Sequence, residues 1–428
     1  FALFFMIAFV TGLQNPMAVI VKNQFQSSNF SSQLGNFANF IAYAFMGIPS
    51  GLLLQKIGYK RMSLVAIFVG YLGVNLTFLS GHVGSFLVYL MGAFVGGFSM
   101  CMLNTLVNPM LNTLGGGGKR GNQLLQFGGT LNSMGATIVP VLVGYLMGDV
   151  SKASITDANP ALFLAMGIFV LAFFVLFMMK IPEPHISQET ATEKQKSPLG
   201  FRHFVLGMIA IFVYVGVEVG IPNIGNLYMT DKLRIDPTIA GSVVGTYWFL
   251  MLIGRFIGGA IGANISSRGM LSFVTILGLI FTILAIMMPS DISVNMVVFQ
   301  SDISFGMVEV PLSIMLLVLC GFCTSVMWGG IFNLATAGLG KSTATASGIL
   351  MVMVCGGGIL PVLQAYIADI SGYMSSYWVI TIGFSYILFY ALIGSKRKII
   401  RINNFIFITV SINNKKSFIN FDKGFFYI

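Results

Sequence analysis

The sequence predicts an all-α membrane protein with twelve transmembrane helices, arranged as two six-helix halves related by pseudo-two-fold symmetry. Three observations predict this fold class: the composition, the apolar runs, and a repeat between the halves. Of the 428 residues, 56% are hydrophobic and only 8% are charged. Such a composition is typical of polytopic membrane proteins and excludes a soluble domain.

Apolar runs long enough to cross a hydrocarbon core about 30 Å thick recur along the whole chain. Each run predicts one transmembrane helix. We place the twelve runs near residues 1–22, 34–55, 62–80, 85–113, 124–147, 160–181, 203–228, 238–262, 270–288, 311–332, 343–369 and 376–395.

One long polar connection separates the sixth run from the seventh. Ile181–Pro198 is rich in Pro, Glu, Gln, Lys and Ser, as flexible linkers are. The tail is rich in Lys, Asn, Ile and Phe and indicates no function. The sequence therefore predicts an N-terminal six-helix half (1–181), a cytoplasmic linker (182–202), a C-terminal six-helix half (203–395) and a cytoplasmic tail (396–428).

Basic residues fall mostly on one side of the predicted bundle. With the amino end inside, the outer loops hold only Lys22, Lys152, Lys232 and Arg234, and the other loop cations, with Arg255 counted among them, lie inside. The positive-inside rule then places both termini in the cytoplasm. The net charge of +10 faces anionic lipid, so membrane lipid is an expected partner and nucleic acid is not.

One carboxylate, Glu218, lies in the middle of an otherwise uncharged apolar segment, Tyr214–Asn226. An ionisable group at bilayer depth costs at least about 2.5 kcal/mol unless it faces a cavity or a partner, so it indicates a functional site. Pro222 has no N–H, so the carbonyl of Glu218 loses its helical partner and a kink is expected there. Broken helices that line a midplane cavity form the sites of secondary transporters.

The two halves repeat one another. Gly135–Pro140 in the fifth run is similar to Gly356–Pro361 in the eleventh, and Asn108 in the fourth run corresponds to Asn333 in the tenth. Internal repeats of this kind are typical of transporters. A parallel six-helix repeat with a long central loop is the plan of the major facilitator fold.

Three further stretches carry a more specific resemblance. Phe9–Pro16, Leu103–Pro109 and Thr130–Ala136 together resemble the fucose, galactose and glucose:proton symporter family, the L-fucose permease-like branch of the major facilitator superfamily. The resemblance extends over nearly all twelve helices. It implies uptake of a hexose such as glucose, galactose or fucose across a bacterial inner membrane, by cation-coupled symport through alternating access.

The departures from that family's pattern direct attention back to Glu218. Where the fucose permeases carry acids in helices 1 and 4, this chain has Asn15 and Asn104, which cannot titrate, and Gln55 stands where most superfamily members have Asp. Glu218 is thus the candidate for cation coupling. It can bind and release a proton, or it can ligate Na⁺ together with its freed carbonyl.

Sugar recognition needs amides, which donate and accept hydrogen bonds, and aromatic faces, which cover the apolar surface of a pyranose. A neutral polyhydroxylated solute suits this pattern of many amides and few charges. For each amide the alternative is a hydrogen bond between packed helices, and for each ring it is packing or lipid contact. The candidate substrate-binding residues are Gln14, Asn15, Asn104, Asn108, Asn132, Asn223, Asn226, Tyr247, Trp328 and Asn333.

Other functions remain open at this stage. The same fold exports amphipathic drugs and metabolites, and an uncoupled sugar facilitator or a non-transporting sensor would share most of these features. An enzyme is not expected, since no nucleophile, base and orienting group can be assembled within the spans. Cys320 and Cys323 have CxxC spacing without a second cluster, so we expect no metal and no cofactor beyond the coupling ion. The protein is expected to be a monomer.

Overall fold

The computed structural model describes residues 2–25, 29–147, 154–180, 197–289, 291–300 and 304–396. Most of the predicted linker (182–202) and nearly all of the predicted tail (396–428) lie outside the described residues, as do the side chains of Gln14 and Asn15. The boundaries proposed for the two halves and the tail therefore stay predictions.

Helices dominate the described residues, together with one β-hairpin. The helices are α1 (Ala2–Gln24), α2 (Asn29–Val83), α3 (Phe86–Leu114), α4 (Gly118–Met147), α5 (Asn159–Met178), α6 (Arg202–Leu227), α7 (Pro237–Ile261), α8 (Ser267–Met287), α9 (Leu312–Thr324), α10 (Met327–Thr336), α11 (Thr343–Val352), α12 (Gly356–Ser371), α13 (Tyr373–Ser376) and α14 (Trp378–Phe389). The hairpin consists of β1 (Ser293–Phe299) and β2 (Phe305–Pro311).

Within the described ranges these helices account for the twelve predicted crossings. The helix α2 makes two of them, because its backbone departs from helical geometry at Gly58, where φ is 78°. Glycine adopts this left-handed conformation without a steric penalty, so the chain can turn here between the second and third apolar runs. The pairs α9 with α10 and α11 with α12 each form one interrupted crossing.

The alternation of crossings defines two ends of the bundle. We call the end where α5 stops and α6 starts the linker side, and the opposite end the far side. The turns after α3, α7 and α10 lie on the linker side, and the β-hairpin between α8 and α9 lies on the far side.

The first half, α1 to α5, meets the second half, α6 to α14, along two seams. In one seam α2 packs on α11, and in the other α4 packs on α7. Glycines allow the backbones to touch in the first seam: a Cβ on Gly348 would lie 2.7 Å from the Cα of Gly51. Close approach through small residues is a common basis of helix association in membranes.

Two features differ from the sequence prediction. An interruption that was not predicted lies at Ser325 and Val326, between α9 and α10, where no proline is present, while α6 continues as a helix through Pro222. The hairpin was not predicted either. Its strands carry apolar side chains on both faces, so their hydropathy pattern lacks the alternation that would distinguish strands from the neighbouring apolar runs.

The contact at Gly348 leads to a prediction about stability. We expect Gly348→Val to destabilise the protein by about 1–3 kcal/mol, because the added atoms force the α2–α11 seam apart. Thermal unfolding in detergent measures the effect. The matched control is Gly167→Val, since a Cβ at Gly167 meets nothing within 4 Å; equal melting temperatures for the two variants would contradict the prediction.

Candidate functional site

An ion pair lies in the interior of the second half. Nη2 of Arg255, on α7, is 3.1 Å from Oε1 of Glu218, on α6, and the two side chains are only 11% and 14% exposed. Arg255 was expected among the inner-loop cations, and that prediction is wrong. The helix α7 continues past it to Ile261, which places the guanidinium inside the bundle.

The Arg255 guanidinium reaches beyond Glu218 into the first half. Nη1 donates to the hydroxyl of Ser133 at 2.7 Å and to the carbonyl of Gly129 at 3.2 Å, both on α4. Nη2 also donates to the Tyr214 hydroxyl at 3.4 Å. A planar guanidinium carries five N–H donors in a fixed fork, so it can join several acceptors at once. Arg255 thus connects the candidate coupling acid to the opposite half.

The interruption between α9 and α10 supplies a further acceptor. Nε of Arg255 donates to the carbonyl of Ser325 at 3.2 Å, and Nε2 of Gln126, on α4, donates to the carbonyl of Val326 at 2.9 Å. Gly254 makes this approach possible, since a Cβ there would lie 2.7 Å from the Cβ of Ser325. An interrupted crossing therefore lies beside the acid, in addition to the helix that contains Pro222.

Tyr247 holds the backbone of Glu218. Its hydroxyl donates to the Glu218 carbonyl at 3.0 Å, which is the carbonyl that Pro222 was expected to free, and it lies 3.1 Å from the hydroxyl of Thr324. Its ring is only 1% exposed. In this conformation Tyr247 satisfies a backbone acceptor and offers no open face for stacking on a sugar.

Several predicted substrate residues come together across the halves. Nε1 of Trp328, on α10, donates to Oδ1 of Asn108, on α3, at 3.0 Å. Nδ2 of Asn108 donates to the carbonyl of Asn104 at 2.7 Å, and Nδ2 of Asn104 donates to the Tyr43 hydroxyl at 3.0 Å. The Trp328 ring lies 6.3 Å from the ring of Tyr214, so this group adjoins the ion pair.

Asn333 lies in a separate group that we call the amide cluster, formed by Asn112, Ser267, Asn333 and Thr336. Nδ2 of Asn333 donates to Oδ1 of Asn112 at 2.8 Å and to the carbonyl of Gly118 at 3.0 Å. Nδ2 of Asn112 donates to Thr336 at 3.3 Å. The amide cluster joins α3 to α10 towards the linker side. Asn333 thus contacts the other half directly and is not part of the group around Trp328 and Asn108.

The remaining predicted residues are more scattered. Asn132 is half-buried on α4, and Asn223 and Asn226 are exposed near the far end of α6. The side chains of Gln14 and Asn15 lie outside the described part of the chain. Their roles in binding stay predictions.

The sequence contains a signal that Arg255 is buried. Its position lies inside the eighth apolar run, and the cost of a charge at bilayer depth applies to a cation as well as to Glu218. Ser133, Tyr214 and Asn112 gave no such signal, because a hydroxyl or amide between packed helices is common.

The chain matches the family described as Major Facilitator Superfamily over residues 1–360. The chain belongs to the Major Facilitator Superfamily. It is therefore a multi-pass membrane protein in a family of transporters.

Individual relatives place the chain within this superfamily. It is 30% identical over 408 residues to the glucose/galactose transporter of Brucella abortus biovar 1 (strain 9-941), with 92% of each chain covered. It is 30% identical over 416 residues to the putative glucose/galactose transporter of Helicobacter pylori (strain J99), covering 93% of this chain and 96% of that one. The L-fucose-proton symporter of Escherichia coli (strain K12) is 20% identical over 399 residues, covering 87% and 86%. The predicted resemblance to this branch is confirmed.

The fold is similar to that of a solved transporter. The crystal structure of the Major Facilitator Superfamily transporter FucP in the outward conformation superposes with a TM-score of 0.77, at 20% sequence identity, covering 91% of this chain and 96% of that chain. The predicted fold class is therefore confirmed.

The amide cluster leads to a prediction about the equilibrium between conformations. We expect Asn333→Ala to leave Asn112 short of a buried partner, which costs about 1–3 kcal/mol in the described conformation, where the amide cluster joins the two halves. Nitroxides at Arg120 and Ile265, on opposite halves, report the opening as a longer distance by electron double resonance.

The matched control for this measurement is Asn226→Ala, because Asn226 is exposed. Identical distance distributions in Asn333→Ala and the parent protein would contradict a closing role for the amide cluster.

Proposed function

We propose that the protein takes up a neutral hexose, such as glucose, galactose or fucose, by proton symport through alternating access. Its similarity to glucose/galactose transporters and to an L-fucose-proton symporter supports a sugar as the substrate class. The observation that carries the proposal is the position of Arg255, which is bonded to Glu218 in its own half and to Ser133 and Gly129 in the other. A charge change at Glu218 would thus act directly on the contact between the halves.

Coupling follows from the hydrogen-bond needs of Arg255. A proton on Glu218 removes the negative charge that pairs with the guanidinium, and an unpaired buried cation is costly. Sugar hydroxyls accept hydrogen bonds, so a bound hexose would satisfy the donors that the neutral acid no longer holds. Each ligand therefore favours binding of the other, so proton and sugar are taken up together.

Sugar contacts would form around Asn108 and Trp328. In the described conformation the indole N–H of Trp328 donates to Oδ1 of Asn108. Sugar hydroxyl groups could replace this hydrogen bond, because they can both donate to Asn108 and accept from Trp328. The indole would then cover an apolar face of the ring. Asn104, Asn132, Asn223 and Asn226 would add amides along the path, and Gln14 and Asn15 stay proposals that rest on the family resemblance.

A proton suits this site better than Na⁺. One oxygen of Glu218 is paired with Arg255, and its carbonyl accepts from Tyr247. A hard cation would have to replace both partners to gain an oxygen shell. A proton needs only one free lone pair on the carboxylate.

The described conformation would face outwards. Among the described residues, the hydrogen bonds that join the halves lie between the centre of the bundle and its linker side, from Trp328 to the amide cluster and to Lys119, which donates to the carbonyl of Asn264 at 2.7 Å. With the linker in the cytoplasm, as the positive-inside rule indicates, this conformation is closed on the inside. We propose a bacterial inner membrane with both termini cytoplasmic.

Transport in proteoliposomes tests the function. We expect radiolabelled glucose, galactose or fucose to accumulate when the outside is more acidic than the inside, and accumulation to stop when the pH gradient is collapsed. A Na⁺ gradient without a pH gradient should drive nothing. Accumulation driven by Na⁺ would refute the coupling ion, and drug export without movement of any of the three sugars would refute the substrate class.

Replacing the coupling acid separates accumulation from exchange. We expect Glu218→Gln to abolish uphill accumulation while labelled sugar still equilibrates down its gradient, because the amide cannot carry the proton. The measurement compares steady-state uptake under a pH gradient with exchange in its absence. The matched control is Glu309→Gln, the same change at an exposed carboxylate; unchanged accumulation in Glu218→Gln would remove Glu218 from the mechanism.

A further inference from the structure

Tyr43, on α2, carries a polar group that was not predicted as part of the binding site. Its hydroxyl oxygen accepts a hydrogen bond from Nδ2 of Asn104, on α3, at 3.0 Å, and the residue is 9% exposed. A phenol hydroxyl keeps one proton of its own after it has accepted a hydrogen bond. In the part of the chain that the structure describes, Nδ2 of Asn104 is the only hydrogen-bond partner of this hydroxyl. Tyr43 therefore still has a proton to donate.

The side-chain amide of Asn104 is held in one orientation. Its Nδ2 also donates to the carbonyl of Met100 at 3.1 Å. That carbonyl can only accept, so the amide atom beside it is the nitrogen. The two protons of Nδ2 are then both used, one by Met100 and one by Tyr43, and Oδ1 is left for other partners. An amide, which can normally donate and accept, is thus restricted to accepting.

Tyr43 and Asn104 therefore present complementary groups side by side. The hydroxyl of Tyr43 offers a proton, and Oδ1 of Asn104 offers a lone pair. Because both flank the same Nδ2 atom, one small polar group can contact the two at once. A hydroxyl group matches them, since it accepts one hydrogen bond and donates another. An ether oxygen could satisfy only Tyr43, and an ammonium group could satisfy only Asn104.

The pair lies next to the contacts that join the two halves. The helix α3 runs from the far side to the linker side. The carbonyl of Thr105 accepts from the Ser347 hydroxyl, on α11, at 2.9 Å, and three residues later Asn108 accepts from Trp328 at 3.0 Å. Asn104 lies one turn before Asn108 on the same face of the helix, towards the far side, and is partly exposed. A solute that enters from the far side would thus reach Asn104 where these contacts begin.

We propose that Tyr43 is a specificity-determining residue of the sugar site, and that it acts with Asn104 on one hydroxyl group of the hexose. The Tyr43 hydroxyl donates to the oxygen of that group, and Oδ1 of Asn104 accepts a hydrogen bond from it. This role rests on the proposed function, because it needs a bound sugar. An analogue without this hydroxyl would leave a donor and an acceptor unpaired away from water, which is costly and is the usual basis of strong discrimination.

A purely structural role for Tyr43 predicts a different pattern. If its hydroxyl served only to join α2 to α3, its loss would loosen the site as a whole, and every sugar would be affected to the same extent. A direct contact concerns one position on the sugar. The two roles therefore differ in how the effect of Tyr43→Phe depends on the ligand, and a double-mutant cycle between protein and sugar measures this dependence.

Calorimetric titration of the purified protein in detergent gives the affinities. Glucose, galactose and L-fucose are titrated first, followed by the monodeoxy analogues of the sugar that binds most tightly, one for each hydroxyl group. The variants are Tyr43→Phe and Asn104→Ala, and their melting temperatures show that they are folded. The matched control is Tyr386→Phe, since the Tyr386 hydroxyl also joins two helices, by donating to the carbonyl of Leu206 at 3.0 Å.

We expect Tyr43→Phe to weaken binding of the unmodified sugar about tenfold, the effect of one hydrogen bond, and Tyr386→Phe to leave it unchanged. For the analogue that lacks the contacted hydroxyl, Tyr43→Phe should cause no further loss. For the other analogues the tenfold loss should remain. Asn104→Ala should identify the same hydroxyl group independently.

Three results would overturn the role of Tyr43 while leaving sugar uptake standing. They are no loss of affinity in Tyr43→Phe, an equal loss for the sugar and all of its analogues in either variant, and a different hydroxyl group identified by Asn104→Ala. Absence of binding of all three sugars by the parent protein would instead refute the proposed function, and the role of Tyr43 with it.

Discussion

The buried pair of Arg255 and Glu218 is the constraint around which the centre of the bundle is arranged. A guanidinium removed from water needs a partner for its charge and acceptors for its remaining N–H groups. The structure supplies them from α4, from α6, and from the carbonyl that the interruption after α9 leaves available at Ser325. Gly254 and the interruption after α9 thus both serve Arg255. Gly254 lets α7 approach Ser325 closely, and the interruption provides the Ser325 carbonyl as an acceptor.

Repeat symmetry in the sequence does not carry over to the contacts. Asn108 and Asn333 occupy corresponding positions in the two halves, yet Asn108 pairs with an indole and Asn333 pairs with the amide of Asn112. The difference arises because each residue faces a different surface of the opposite half. The repeat gives both halves the same arrangement of helices, but the hydrogen-bond partner of each amide depends on the residues that face it in the opposite half.

The sequence was sufficient for the crossings, because they follow from hydropathy, and it marked Glu218 as a carboxylate at bilayer depth, where the structure pairs it with Arg255. It was insufficient for the break at Ser325, where no proline marks the place, and for the hairpin, whose apolar strands resemble spanning helices. The positive-inside rule groups basic residues by the side of the membrane, and on that basis alone Arg255 is placed in an inner loop. The partners of Asn333 could not be predicted, since pairing across a seam depends on how the halves dock.

The amide cluster has an electrical consequence. The contacts between Asn112, Asn333 and Thr336 carry no net charge, so a membrane potential does no work on them when they part, whereas moving an elementary charge through 100 mV is worth about 2.3 kcal/mol. These neutral contacts hold equally well in an energised and a de-energised cell. Under the proposed mechanism, voltage would instead act on the cycle through the charged pair of Arg255 and Glu218, because a proton bound to Glu218 changes the charge on which the field acts.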